Sequence, residues 1–570
     1  MMKLPLLLAG SLFLSDLGAA RPFRESEVTI QNGTYEGYYL SSFEQDVFLG
    51  IPYAQPPVDE LRFRAPVGLT EPWCGIREAK SYGDSCVWTG TYTDNHDLPF
   101  SEDCLTLNIV RPSLHGSGHS RKNEPLPVAV WIHGGGFWAG ASSRDIYNLS
   151  YPVQQSVLGK TPIIGVSINY RLNGFGFLAS EEIRHAGGLN AGLQDQRLAL
   201  KWIKENIAQF GGDPDNISLW GESGGAVSVG IHLIAYGGES ETDLFHKGVL
   251  ESGGVTVLPY EPMTVTQTWY DSISSRAGCG TSPGSFTTSP GSFTCLQKVP
   301  AETLRSLFND SAFTFRPVID GKLIPTYPKD LLAQGKFLKV PILIGNNMDE
   351  GTAFGFGNVN TTSELSTAIS VRYPGLNDTT ITTLLELYPN IPSEGCPYGT
   401  GDLYSNDVFG LQYKRGNAIG GDIVMGGPRR LLLETWTRSG ILSYSYLWNQ
   451  SDYGIPGYIG ATHFTEVVYV FDNPASEFTQ SLASTIGPDT SGNKTRLAEM
   501  TSRYFMSFMA TGDPNNAHLD FKGGPYWAKY TKSSKRNLYL SSGGSYLQDD
   551  DYRESGIRFI NHGVGHQFLN

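Results

Sequence analysis

Ile217-Ser218-Leu219-Trp220-Gly221-Glu222-Ser223-Gly224-Gly225-Ala226-Val227-Ser228-Val229 is the stretch on which the reading of this chain turns. Its first four residues form an apolar run suited to a buried strand. Its tail, continued by Ile231, Leu233 and Ile234, suits a packed helix. A Gly-x-Ser-x-Gly turn between a strand and a helix is a nucleophile elbow. In so sharp a turn, side chains two residues either side of the serine would clash, so Gly221 and Gly225 are needed there. The turn lifts the Ser223 hydroxyl clear of the sheet and aims the first amides of the helix at whatever the serine attacks. In a chain of 570 residues the motif alone is weak, and its setting has to carry the reading.

Upstream of the elbow, a helix is expected over residues 191–209. Leu193, Leu200, Ile203, Ile207 and Phe210 fall on one face, and Gly211-Gly212-Asp213-Pro214 stops it. Further apolar runs at 105–110, 128–132, 163–168, 246–250, 341–344 and 441–448 read as strands. Strands alternating with helices point to an α/β chain with a mostly parallel sheet flanked on both faces. The region before Phe48-Leu49-Gly50-Ile51-Pro52-Tyr53-Ala54-Gln55-Pro56-Pro57 reads instead as short antiparallel strands, a small N-terminal sheet. No linker divides the chain, so residues 21–570 are expected to form one domain.

Residues 1–20 have the form of a secretory signal: Lys3, an apolar stretch over 4–14, and Gly18-Ala19-Ala20 before the cleavage point. No later run of 18 or more apolar residues suggests a membrane span. A net charge of −14 argues against nucleic acid and anionic membranes as partners. Sequons at Asn32, Asn148, Asn216, Asn309, Asn360, Asn377, Asn449 and Asn493 fit a secreted glycoprotein, although Asn216 lies at the mouth of the elbow strand. The six cysteines contain no Cys-x-x-Cys, so a zinc site is not expected. In an oxidising compartment the sequence neighbours Cys86–Cys104 and Cys279–Cys295 are the expected pairs, leaving Cys74 and Cys396 to pair or stay free. Between Cys279 and Cys295, Thr281-Ser-Pro-Gly-Ser-Phe-Thr287 is duplicated as 288–294, which a tethered surface loop would tolerate.

A serine hydroxyl needs a base, a carboxylate to orient the base, and donors for the developing oxyanion. Gly134-Gly135-Gly136 after a strand supplies close-approach backbone, with the Gly135 and Gly136 amides joined by that of Gly224. The absence of a following Lys-Ser/Thr pair argues against a phosphate-binding loop. In the chain order Ser, acid, His, the base lies among His463, His518, His562 and His566. His463 sits in the small-residue loop Gly460-Ala461-Thr462-His463 after the 441–448 run, and the other three read as surface residues. The acid falls at Asp349 or Glu350, directly after the 341–344 run, and spacing does not choose between them.

The chain resembles the type-B carboxylesterase family of α/β-hydrolases, which includes cholinesterases and fungal lipases. The resemblance covers Phe48 to Pro57 with Arg62-Phe63 and Pro66, Ser101-Glu102-Asp103-Cys104-Leu105-Thr106-Leu107-Asn108, and His133 to Phe137. It continues through Asn169-Tyr170-Arg171, Phe175 to Leu178, Gln194-Asp195-Gln196, Asn206-Ile207 and Phe210 to Pro214, then the elbow, Asp349-Glu350-Gly351 and Gly460 to His463. It implies an α/β-hydrolase fold with Ser223 as nucleophile, Glu350 rather than Asp349 as acid and His463 as base. It also implies an oxyanion hole of Gly135, Gly136 and Gly224, the same two disulfides, and structural roles for Glu102 and Arg171. Departures are Gly224 where the family usually has Ala, Cys74 where a small residue is common, and a short polar loop at 87–103 where lipase members carry a longer apolar lid. No choline-binding aromatic can be matched; Trp88 is misplaced for it. The expectation is a secreted, glycosylated serine carboxylic-ester hydrolase without metal or cofactor, acting on a small or lipid-like ester, with Phe137 and Trp138 walling the substrate pocket. The alternatives are a lipase on long-chain esters and a non-catalytic adhesion module on the same scaffold.

Overall fold

The computed structural model describes residues 25–90, 98–113, 124–239, 243–280, 291–473, 485–520 and 523–568. The expected signal at 1–20, residues Asp94, His96 and Asp97 of the loop between Cys86 and Cys104, and residues 281–290 of the duplication lie outside that range.

The principal strands are β1 (Glu25–Ile30), β2 (Gly33–Leu40), β3 (Gln45–Pro52), β4 (Thr106–Pro112), β5 (Leu126–Ile132), β6 (Ile164–Ile168), β7 (Gly212–Glu222), β8 (Lys247–Glu251), β9 (Ile342–Asn347), β10 (Ser443–Trp448), β11 (Arg536–Leu540) and β12 (Tyr546–Asp549). Their spatial order is β1-β2-β3-β4-β6-β5-β7-β8-β9-β10-β11-β12, with a short strand, Ile76–Glu78, beside β2. Every pair from β6 to β11 is parallel. The pairs from β1 to β4, and β4 with β6, are antiparallel, as is β11 with β12. The N-terminal antiparallel strands are hydrogen-bonded to the rest of the sheet through β3 and β4. Ser85–Cys86 and Phe100–Ser101 form a separate pair.

The central strands read as continuous apolar runs because both of their faces are covered. Leu219 of β7 joins Val130, Ile132 and Leu250 in one core, while its neighbour Trp220 joins Trp131, Val249 and Leu343 in the other. On that second face the Trp131 and Trp220 rings lie 4.6 Å apart and Phe471 stacks on Trp220. The expected helix is α1 (Ala191–Asn206), closed by a 3-10 turn at Ile207–Phe210. Leu193, Leu200, Ile203, Ile207 and Phe210 are all fully buried, as their spacing predicts. The elbow helix is α2 (Gly224–Ile234). No helix among the described residues is long and apolar enough to cross a membrane.

Strand order fixes where a site can form. From β5 the chain crosses to β6 on one side, and later returns to β7 on the other. Such a reversal opens a crevice at the carboxyl ends of the two strands. The Gly134–Gly136 loop leaves β5 there, and the Ser223 elbow leaves β7.

Both expected disulfides are formed, and Cys74 and Cys396 are free, the first exposed and the second buried. Loops with sequence separations of 18 and 16 each lose enough unfolded-state entropy to be worth about 3 kcal/mol. The duplication is not wholly a surface loop. Its last residues open the helix Ser292–Lys298, where the buried Ser292 hydroxyl pairs with that of Tyr270 at 2.9 Å. The Asn216 carboxamide is half-buried, donating to Ala510 O at 3.2 Å and accepting from Lys247 Nζ.

Candidate active site

Ser223 sits at φ 52°, ψ −120°, a conformation that costs a non-glycine residue about 1–3 kcal/mol. Its neighbours hold it there. The Ser223 N–H donates to Glu251 O at 3.0 Å, and Val227 N–H donates to Ser223 O at 2.9 Å. The glycines are sterically required, as the motif implies. A Cβ on Gly221 would lie 2.5 Å from the Gly225 carbonyl carbon, and one on Gly225 would lie 1.9 Å from Ile132 O. The elbow is therefore seated directly on the end of β5.

The glycine loop is seated on the elbow in turn. A Cβ on Gly134 would meet Glu222 O at 2.7 Å and Ser223 Cβ at 3.0 Å. One on Gly224 would lie 3.2 Å from Gly136 N and 3.4 Å from Phe137 N, so these amides border the start of α2. Gly135 and Gly136 take φ of 97° and 62°, and Gly135 O accepts from Trp138 and Ala139 N–H, folding the loop back on itself. Gly135, Gly136, Trp138, Ser223 and His463 all keep partial exposure within otherwise buried surroundings. Phe137 turns into the core, its ring 4.9 Å from that of Phe177, while the Trp138 ring lies 6.3 Å from that of Phe315.

Glu350 and His463 meet. Glu350 Oε2 lies 2.8 Å from His463 Nδ1, and its Oε1 accepts from Asn347 N–H at 2.9 Å. Asp349, the other carboxylate left open by spacing, bonds instead to the backbone N–H groups of Tyr398 and Ala461. The other face of the imidazole reaches the elbow. His463 Nε2 lies 3.2 Å from Glu222 Oε1, on the residue before Ser223. The Phe354 ring packs edge-on against the imidazole at 4.8 Å.

Burial disfavours a charged imidazole here, but Glu350 and then Glu222 outweigh it and raise the His463 pKa from 6.5 to about 9. Burial pushes Glu222 well above the usual carboxylate range, only partly offset by His463. Burial likewise raises Glu251, with Glu466 adding to the effect. Glu466 is raised to about 7 by burial and Glu350. Glu466 accepts from Ser252 Oγ at 2.8 Å and Asn347 Nδ2 at 2.5 Å, and Glu251 accepts from the Trp220 indole N–H.

These three carboxylates were not identified as site residues from sequence. Glu222 stands inside the elbow motif as a spacer, and Glu466 lies three residues after His463. Glu251 carried the clearest available signal, a carboxylate ending the apolar run of β8. His133, inside the glycine-loop motif, is neutral: burial lowers its pKa to about 4, and it stacks on Tyr170. His518, His562 and His566 lie at the surface beside Asp520, Glu434 and Asp330. Glu102 binds Arg62 and Arg171 binds Asp195, away from the imidazole. Trp88 is buried beneath Arg305.

The model of the carboxylesterase family matches residues 24–559. Lipase 5 of Diutina rugosa is 33% identical over 583 residues, covering 95% of this chain and 96% of its own. Secreted lipase 1 of Botryotinia fuckeliana is 34% identical over 555 residues, with 90% and 89% covered. Among solved structures, Aspergillus niger EstA matches with a TM-score of 0.79 at 28% identity, covering 96% of this chain and 99% of that one.

Proposed function

The chain belongs to the carboxylesterase family and is a carboxylic ester hydrolase, and from that premise we propose that it is a secreted serine esterase working through an acyl-enzyme on Ser223. His463 is the base, Glu350 its orienting acid, and the amides of Gly135, Gly136 and Gly224 the oxyanion donors. The observation that carries the reading is the 2.8 Å contact of Glu350 with His463 Nδ1, delivered to the residue preceding Ser223.

In its neutral form, populated as pH rises toward about 9, the imidazole keeps its proton on Nδ1 against Glu350 and its lone pair on Nε2. Nε2 takes the Ser223 proton as Oγ attacks the ester carbonyl, and the imidazolium is stabilised by Glu350. The oxyanion forms against backbone donors already fixed in place by the strained loop, so little reorganisation is needed. The imidazolium then protonates the leaving alcohol. Water, activated by the same histidine, attacks the acyl-enzyme and restores the hydroxyl. Trp138, partly exposed beside the glycine loop, walls the substrate pocket, with Phe137 packed behind it. The Botryotinia fuckeliana relative, named a secreted lipase, supports export from the cell.

A lipase acting on long-chain esters is the second reading, favoured by the names of those relatives. Against it, among the described residues of the loop after Cys86, Val87 and Trp88 are packed into the core. Hydrolysis of acetyl through stearoyl esters, each below and above its solubility limit, separates the two. Turnover confined to dissolved short esters is the expected result. A jump in rate when long-chain substrate forms droplets would establish the lipase.

A further inference from the structure

The acidic pair Asp349-Glu350 divides its work, and only Glu350 reaches the imidazole. Asp349 is buried, 3% exposed, and its carboxylate ties together chain segments that are distant in sequence. Oδ1 accepts from Tyr398 N–H at 2.8 Å and lies 3.8 Å from the Cys396 thiol. Oδ2 accepts from Ala461 N–H at 2.9 Å, two residues before His463. The Asp349 N–H completes a reciprocal pair by donating to Ala461 O at 2.9 Å. Thr352 Oγ1 bonds Ile459 O and Thr462 Oγ1, each at 2.8 Å, and Asn347 Nδ2 donates to Thr462 O at 2.7 Å. The loops carrying Glu350 and His463 are thus zipped along their length, and Asp349 is the side chain that also pins the 396–398 segment to them. Gly460 is shaped around it: at φ 69°, a Cβ there would lie 2.2 Å from Asp349 Oδ2.

We propose that Asp349 is a positioning residue for ester hydrolysis, a three-way clasp whose ionised carboxylate sets the depth and angle at which the 459–463 loop presents His463 to Glu350 and Ser223. The proposal rests on the Ser223–Glu350–His463 reading above. Misplacing a catalytic group by about 1 Å costs about 10²-fold in rate, and Asp349 is the side chain that bonds the 459–463 loop at Ala461 and the 396–398 segment at once. The clasp is also sensitive to pH. Burial raises Asp349 to about 6, against the Tyr398 and Ala461 amides, the Cys396 thiol and Arg553, which all favour the ionised form. Tyr413 and Lys414 on the helix Tyr413–Gly421 and Tyr539 on β11 feel the same charge. Once protonated, the carboxyl must give up one of its two acceptor contacts.

The test is the pH dependence of kcat and KM for Asp349→Asn and Gly460→Ala, each normalised to sites labelled by a serine-directed phosphonate. Asparagine keeps one acceptor and turns a donor toward one of the two amides. Alanine at 460 displaces the carboxylate from the opposite loop. Both variants are expected to lose kcat about tenfold or more with KM changed less than about twofold, and the double variant to lose little further. Wild type should lose kcat below pH 6 more steeply than one proton allows, and Asp349→Asn with a single-proton slope. Wild-type kcat per labelled site in Asp349→Asn, or an unchanged steep acid limb, would overturn the clasp while leaving the triad standing. Failure of the phosphonate to label wild type at Ser223 would instead overturn the triad.

Discussion

The two halves of the site are held by different physics. On the nucleophile side, Ser223, Gly224 and the Gly134–Gly136 loop are fixed by steric exclusion. Backbone sits against backbone at distances where no Cβ fits, and positive φ values are locked by the packing of β5 against β7. On the base side, Glu350 and His463 ride on loops that also carry close-packed glycines, Gly351 and Gly460. Asp349, Thr352, Asn347, Ser252 and Glu466 hold those loops by side-chain hydrogen bonds. A geometry built by exclusion tolerates almost no substitution but is indifferent to pH. A geometry built from buried acids tolerates isosteric change and responds to protons.

The largest effect expected is at Ser223, the proposed nucleophile. Ser223→Ala should reduce kcat by about 10⁴-fold or more with the melting temperature unchanged, since the fold does not depend on the hydroxyl. Near-wild-type turnover would remove Ser223 from the mechanism. Next comes the base side. Glu350→Gln should cost up to about 10⁴-fold in kcat by removing the carboxylate that orients and stabilises the imidazolium. It should also move the acid limb of kcat/KM to lower pH, because Glu350 is the main group raising His463. In wild type that limb should have its midpoint above pH 6.5, with activity still rising toward pH 9. A rate flat down to about pH 4 would exclude a histidine base.

Substitution should then separate the halves. Gly225→Ala, whose Cβ would enter Ile132 O, should destabilise the fold by about 3 kcal/mol or more, measured by urea unfolding. Glu251→Gln on the acid-rich side should leave the fold intact and change its pH response. The folded-state pKa of Glu251 lies above its unfolded value, so the stability tied to its proton is present at low pH and lost as pH rises through the folded pKa. His463 acts in the same direction, losing its contribution between about pH 6.5 and 9. Wild-type melting temperature should therefore fall across that range, and Glu251→Gln should flatten the decline where it begins, above the usual carboxylate range. A melting temperature that rises toward pH 9 would mean these groups are not held protonated.

The same contrast explains what was legible in the sequence. Steric exclusion leaves glycines at fixed offsets, so Gly221, Gly225 and Gly134–Gly136 announced the elbow and its facing loop. Strands covered on both faces leave apolar runs, and those runs located β5 to β10 within a few residues. The α1 stripe was read residue for residue. Polar clasps leave no such periodic mark. Asp349 and Glu350 were indistinguishable by spacing, because which carboxylate turns toward the imidazole depends on a loop 110 residues away in sequence. That loop is joined to this one through Thr352 and Thr462. Glu222, Glu251 and Glu466 gather only when β7, β8 and the turn after His463 are brought side by side. The single departure within the elbow, Gly224, fits its surroundings, since a Cβ there would press on Gly136 N at 3.2 Å.

The proposed esterase mechanism requires a covalent intermediate at Ser223. The most direct measurement is mass spectrometry of the protein quenched during turnover of an activated short-chain ester, with the adduct mapped by peptide. The account predicts one acyl group per molecule, located on Ser223, accumulating in wild type and absent from Ser223→Ala. Steady hydrolysis with no adduct, or an adduct on any other residue, would contradict it.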